Sequence, residues 1–205
     1  MALWNRMKWL VFGFLAISIG LYPIIYFIVD RHFGLLSTKS ELLLSSASWN
    51  TGFYGHIIFG GLALLIGWLQ FSERFRTNSM RRHRIIGKVY TISVLISSIC
   101  GLYIAQDATG GWVSEFGFSI LAIIWFTVTV MAYIEAKQGR IKKHQLYMIL
   151  SYAACFAAVT LRIWLPILTS ITGDFDSAYQ MVAWLCWVPN LLFAFVIIKR
   201  QQLLG

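Results

Sequence analysis

The chain has 205 residues, 59% of them hydrophobic and 12% charged, with a net charge of +9. Soluble domains are about half apolar, so this composition excludes an ordinary soluble protein and makes the bilayer the expected solvent. The basic residues fall in short blocks between apolar runs, as membrane topology requires, which also removes nucleic acid as the expected partner.

A helix needs about 20 mostly apolar residues to cross the hydrocarbon. Six stretches reach that length, near 9–29, 51–72, 85–105, 115–134, 145–168 and 181–198. The first follows Arg6 and Lys8 and runs past Pro23 to Val29 without a small-residue cleavage site, so a retained helix is expected rather than a signal peptide. Between it and the second lies the longest connection, Asp30 to Asn50, in which Leu42, Leu43 and Leu44 predict a short helix at the interface. The remaining connections are short and make successive helices antiparallel neighbours. The expected fold is therefore all-α, a six-transmembrane-helix bundle forming a single membrane domain over 1–205.

Orientation follows from the basic residues. One set of alternate connections carries Arg6 and Lys8, then Arg74, Arg76, Arg81, Arg82, Arg84 and Lys88, then Lys137, Arg140, Lys142 and Lys143, then Lys199 and Arg200. The other side has only Arg31 and Lys39, together with the acidic Asp30, Glu41, Asp107, Glu115, Asp174 and Asp176. Positive charge is retained in the cytoplasm, so both termini are expected there, in a bacterial cytoplasmic membrane.

Three helices carry small faces with embedded polar groups. In the second, Gly52, His56, Gly60, Ala63, Gly67 and Gln70 recur at helical spacing; in the third, His83, Gly87, Tyr90, Val94, Ser97 and Gly101; in the fifth, His144, Met148, Ser151, Cys155, Ala158 and Arg162. Such faces serve close helix packing, and they also leave room for a flat cofactor. Arg162 lies 18 residues beyond His144, roughly 27 Å at the helical rise. Two polar layers result: an inner one with Gln70, His83 and His144, and an outer one with His56 and Arg162.

Each group has a structural and a functional reading. Arg162 either snorkels to the outer surface, helped by Asp174 or Asp176, or anchors an anionic group. His56 is either a hydrogen-bonded buried imidazole or a ligand. His83 and His144 follow Arg82 and Lys143 at the membrane margin, where histidine is commonly interfacial, yet their shared depth on two parallel helices suits a pair of axial ligands to a haem iron. Arg82 and Arg84 would then receive the propionates, and Tyr90 or Tyr147 would face a quinone head. No Cys-x-x-Cys-His attachment, short-spaced zinc motif or nucleophile elbow occurs, and no catalytic residue is assigned. Cys100, Cys155 and Cys186 read as packing residues.

The phrases GHIIFGGLALLIGWLQF (55–71), RRHRIIGKVY (81–90) and HQLYMILSYAACFAAVTLRIWLP (144–166) resemble bacterial membrane proteins grouped as "domain of unknown function 2306". The likeness spans about residues 50–170, and the first and last helices carry little of it. His56, Gly60, Gln70, His83, Arg84, Gly87, Tyr90, His144, Met148, Tyr152, Arg162 and Pro166 match the pattern, which implies no reaction. The leading expectation is a bundle that binds haem b, or another metal, through His83, His144 and His56 and exchanges electrons with a quinone or partner subunit. Two alternatives stand beside it: a non-catalytic subunit or assembly factor, and a small-molecule or lipid transporter with Arg162 as anion anchor. A transporter would favour broken helices, of which Pro23, Pro166 and Pro189, near helix ends, are the only sign. The second, third and fifth helices are the expected functional centre and the rest scaffold.

Overall fold

The backbone of residues 2–29 and 33–203 is described by a computed structural model, with side chains from residue 7 onward; the Arg6 side chain and residues Asp30 and Arg31 of the charge count lie outside the described residues. Six helical segments among them are long and apolar enough to cross a membrane: Met7–Ile28, Ala47–Phe71, Met80–Ala105, Trp112–Lys137, Ile141–Thr172 and Phe175–Arg200. Backbone polar groups in hydrocarbon must be satisfied within the segment, which is why each apolar run closes into a helix.

The elements in chain order are α1 (Ala2–Leu21), α2 (Ile25–Ile28), α3 (Glu41–Ser45), α4 (Ala47–Gly67), α5 (Glu73–Asn78), α6 (Met80–Ala105), α7 (Trp112–Lys137), α8 (Ile141–Cys155), α9 (Ala157–Thr172), α10 (Phe175–Leu185) and α11 (Val188–Arg200). The short helix expected at Leu42–Leu44 is α3, which buries Leu44 and exposes Leu42. Spans two to five form a ring in which α4 packs on α6, α6 on α7, α7 on α8, and α8 closes back on α4. The first span lies against α4 and α9, and the sixth against the fourth and fifth spans. The third and fifth spans thus stand at opposite corners of the ring. The basic blocks gather at one end, called here the basic end, while Lys39, Asp107 and Asp174 lie at the far end.

Three spans are interrupted, more than the sequence suggests. The first passes through a 3-10 turn at Tyr22–Ile24 containing Pro23. The fifth breaks at Phe156, between α8 and α9, and the sixth at Cys186 and Trp187, just before Pro189. Proline explains the first and last, since it supplies no backbone donor. Facing side chains occupy the freed carbonyl groups: Thr160 Oγ1 donates to the Cys186 carbonyl, and Asn190 Nδ2 donates to the same oxygen at 2.9 Å and to Thr160 Oγ1 at 3.1 Å.

Glycine sets the closeness of the second and third spans. A Cβ on Gly52 would stand 2.7 Å from the Tyr103 ring, one on Gly55 2.8 Å from Cys100 Sγ, and one on Gly60 2.9 Å from Ser97 Oγ. The contact of Gly60 with Ser97 joins the two small faces read in α4 and α6, while Gly55, Cys100 and Tyr103 lie outside them.

Candidate functional site

At the basic end, serine caps position the inner histidine of the third span. The Ser79 hydroxyl accepts from the Arg82 amide at 3.3 Å and starts α6, so that His83 falls in its first turn. Gln70 comes from the 3-10 turn Trp68–Phe71 that ends the second span, and its Oε1 would lie 3.8 Å from a Cβ on Gly87, one turn beyond His83. His144 follows a tight turn in which Gly139 adopts φ +72° and Arg140 Nη2 donates to Glu135 Oε1 at 2.9 Å. Its Nδ1 lies 2.9 Å from the Ala132 carbonyl. A carbonyl only accepts, so Nδ1 carries the proton and Nε2 is left without one in the neutral ring.

His83 lies within electrostatic reach of His144, Arg76 and Arg84. Its Nδ1 is buried without a partner, as are both amide atoms of Gln70, which is 7% exposed. The inner layer read from the sequence lies at one depth: Gln70 stands against the start of α6 near His83, and His144 lies in the first turn of α8 at the same end, with Arg82 and Arg84 exposed. Gly87 differs from the other glycines within the spans. A Cβ there meets nothing closer than 3.8 Å, whereas each of the others would press a neighbour at 3.3 Å or less. A Cβ there would make only an ordinary contact with Gln70 Oε1, so packing does not require glycine at 87.

Tyr90 does not join this layer. It is fully buried, its hydroxyl 2.8 Å from Ser151 Oγ, which lies 2.6 Å from Thr129 Oγ1. Tyr152 packs beside it, donating to the Leu64 carbonyl at 2.9 Å, and both rings press on Gly67. These residues form a plug across the middle of the ring, separating the two polar layers.

Beyond the plug, toward the far end, lies a cavity of about 500 Å³. Its wall includes Tyr22 and Pro23 at the first break, Ala157 beside the second and Cys186 at the third, together with His56 and Arg162. Interrupted backbone at membrane depth is tolerated where it lines a cavity, and all three breaks border this one. His56 Nδ1 lies 2.9 Å from the Ser97 carbonyl, while Ser97 Oγ donates to the His56 carbonyl at 2.9 Å. Gly101 makes room for the ring, since a Cβ there would stand 2.7 Å from Nδ1. With its Nδ1 proton on that carbonyl, the neutral imidazole keeps an unprotonated Nε2, and the residue lines the cavity.

Arg162 makes no ion pair with Asp174 or Asp176; the one salt bridge between described side chains joins Arg140 to Glu135. Asp174 instead caps α10 through the Ser177 amide at 2.8 Å. The guanidinium donates from Nη1 to the Ala158 carbonyl at 2.8 Å and lies 4.2 Å from the centre of the Tyr22 ring, while Nε is buried without a partner. A cation held by a carbonyl and a π face is only partly compensated. The first and sixth spans, expected to be scaffold, supply Tyr22, Tyr26 and Tyr179 to this wall. No periodic signal in the sequence marks these tyrosines, which read as interfacial aromatics.

The pattern of the family described as "Predicted membrane protein (DUF2306)" matches residues 53–198. The chain belongs to that family. Its match reaches through the sixth span, further than the phrases at 55–71, 81–90 and 144–166 suggest, and takes in the Cys186 break and Asn190. No curated protein and no solved structure matches the chain.

Proposed function

We propose that this protein is a membrane-embedded binding protein for a small, largely apolar molecule, which it holds in the far-end cavity by an oxygen acceptor on Arg162. The carrying observation is the Arg162 guanidinium, without a carboxylate among the described residues, on a cavity of about 500 Å³ bordered by three helix breaks. That volume lies in the usual range for small-molecule sites, and broken spans around a mid-membrane site are the architecture of small-molecule transporters. The basic end faces the cytoplasm in this reading, following the positive charges, so the cavity lies in the outer half of a bacterial cytoplasmic membrane. Native mass spectrometry of the detergent-purified protein tests it. A co-purifying small molecule present in the wild type and lost in Arg162→Gln is the expected outcome; equal occupancy in both would remove the anchor.

A second reading starts from the unpartnered His83 Nδ1 at the basic end: His83 and His144 would hold haem b between the third and fifth spans, with Arg82 and Arg84 near its propionates, and the protein would exchange electrons with a quinone or partner subunit. The oriented His144 ring, the unpartnered His83 Nδ1 and the unpartnered Gln70 amide support it. A bound haem would supply one-electron chemistry, while the chain's own part is to orient the imidazoles and exclude water. Protein from haem-supplemented cells should show a Soret band that His83→Ala and His144→Ala each abolish or shift. A colourless wild type would end this reading. His56 stands beyond the Tyr90 plug and belongs to the cavity rather than to this pair of imidazoles.

A further inference from the structure

From the presence of His56 and Arg162 on one cavity wall we infer that the cavity takes a phenol or hydroquinone head carried on an apolar body, the hydroxyl donating to His56 Nε2 and a second oxygen accepting from Arg162. This inference rests on the binding reading above and names the ligand's class.

The chemistry follows from which atoms remain free. His56 Nδ1 is committed to the Ser97 carbonyl, an acceptor, so the neutral ring has only a lone pair at Nε2 to offer. A second proton there would add an imidazolium to a wall that already holds the Arg162 guanidinium, with no carboxylate paired to either among the described residues. The same cavity wall therefore offers one acceptor and one cationic donor. Ser98 Oγ, also buried without a partner, and the Arg162 Nε–H are further unused donors on the same wall.

A simple carboxylate head has acceptors only. It would satisfy Arg162 but set its lone pairs against that of His56 Nε2. A head with a hydroxyl and a neighbouring or opposite oxygen satisfies both. The rest of the wall selects a flat, apolar scaffold: Tyr26, Trp49, Phe53, Phe118 and Tyr179 supply aromatic faces around it, and Leu64 and Cys155 line the deeper part toward the plug. The imidazole is also held in place, between the Ser97 carbonyl and the bare backbone of Gly101, so its acceptor is pre-aimed rather than recruited. Only binding is inferred, with no electron or proton transfer.

The test is isothermal titration of the full-length detergent-purified protein with three probes: trimethylhydroquinone, its oxidised quinone, and octanoate. The hydroquinone should bind more tightly than the quinone by about five- to tenfold, the factor one hydrogen bond commonly contributes. His56→Asn places an amide donor where Nδ1 was and keeps the Ser97 bond while removing the Nε2 acceptor. It should erase the preference for hydroquinone and leave quinone binding within about twofold. Arg162→Gln should weaken both. If His56→Asn fails to give folded protein, the wild-type comparison of hydroquinone with its dimethyl ether, which has no hydroxyl to donate, carries the same information. Octanoate binding more tightly than hydroquinone, with loss in Arg162→Gln, would overturn the ligand class and leave the cavity reading standing. Binding of all three probes undiminished in Arg162→Gln, or of none to the wild type, would overturn both.

Discussion

Gly101→Ala and Gly87→Ala are the same substitution in the same helix, α6, and should have opposite effects. At 101 the new Cβ would stand 2.7 Å from His56 Nδ1 and 3.0 Å from Cε1, so the imidazole must move and its bond to the Ser97 carbonyl must lengthen or break. Overpacking costs about 1–3 kcal/mol and the lost hydrogen bond about 1 kcal/mol, against a helix-propensity gain of about 1 kcal/mol. The net is a destabilisation of about 1–3 kcal/mol. At 87 the Cβ meets only Gln70 Oε1, at 3.8 Å, and the propensity gain of up to about 1 kcal/mol stands alone. Equilibrium unfolding in mixed detergent micelles reads both. The mechanism is isolated by repeating Gly101→Ala in a His56→Ala background, where the clash partner is gone and the cost should disappear. An equal loss in both backgrounds would refute the assignment of the strain to His56 and would point to the helix contact itself.

Gly67→Ala should be the most damaging of the glycine changes, because its Cβ would come within 2.5 Å of the Tyr152 ring and 2.8 Å of Tyr90, both locked in the plug; a loss of folded yield relative to Gly87→Ala checks it. Asn190→Leu removes the donor that ties the Ala153 and Cys186 carbonyls across the two helix breaks, and should cost about 1 kcal/mol in the same unfolding assay. At the far end, the Ser177 hydrogen bonds hold the Asp174 carboxyl below its ordinary value. Its contribution is therefore complete above the unfolded-state value near pH 4 and is lost as pH falls through the lower folded value. Asp174→Ala should flatten that acid limb of the stability profile, and an unchanged limb would show that another group governs it.

The bundle was legible because bilayer physics writes itself into composition. Span length, small packing faces and the helical placement of Gln70, His83 and His144 all depend on spacing along a single chain, and a helix fixes what spacing means. The inner layer could be read for that reason: all three residues sit within a turn or two of a span end, so topology alone brings them to one depth. Tyr90 shows where such reading stops, since depth put it near the histidines but the hydroxyls of Ser151 and Thr129, on two other helices, drew it into the plug.

By itself the sequence determined the number of spans, the basic and far ends, and a cation at Arg162 within the fifth span, with snorkelling and anion anchoring both open. Only the tertiary structure decided what that cation faces. Whether Asp174 would reach it depended on where the α10 cap forms, and the carboxylate went to the Ser177 amide instead. The cavity arises where the breaks at Pro23, Phe156 and Cys186 come together from three distant parts of the chain. Local patterns specify each break or leave it unmarked, as at Phe156, but their meeting is a consequence of how the spans pack around the ring.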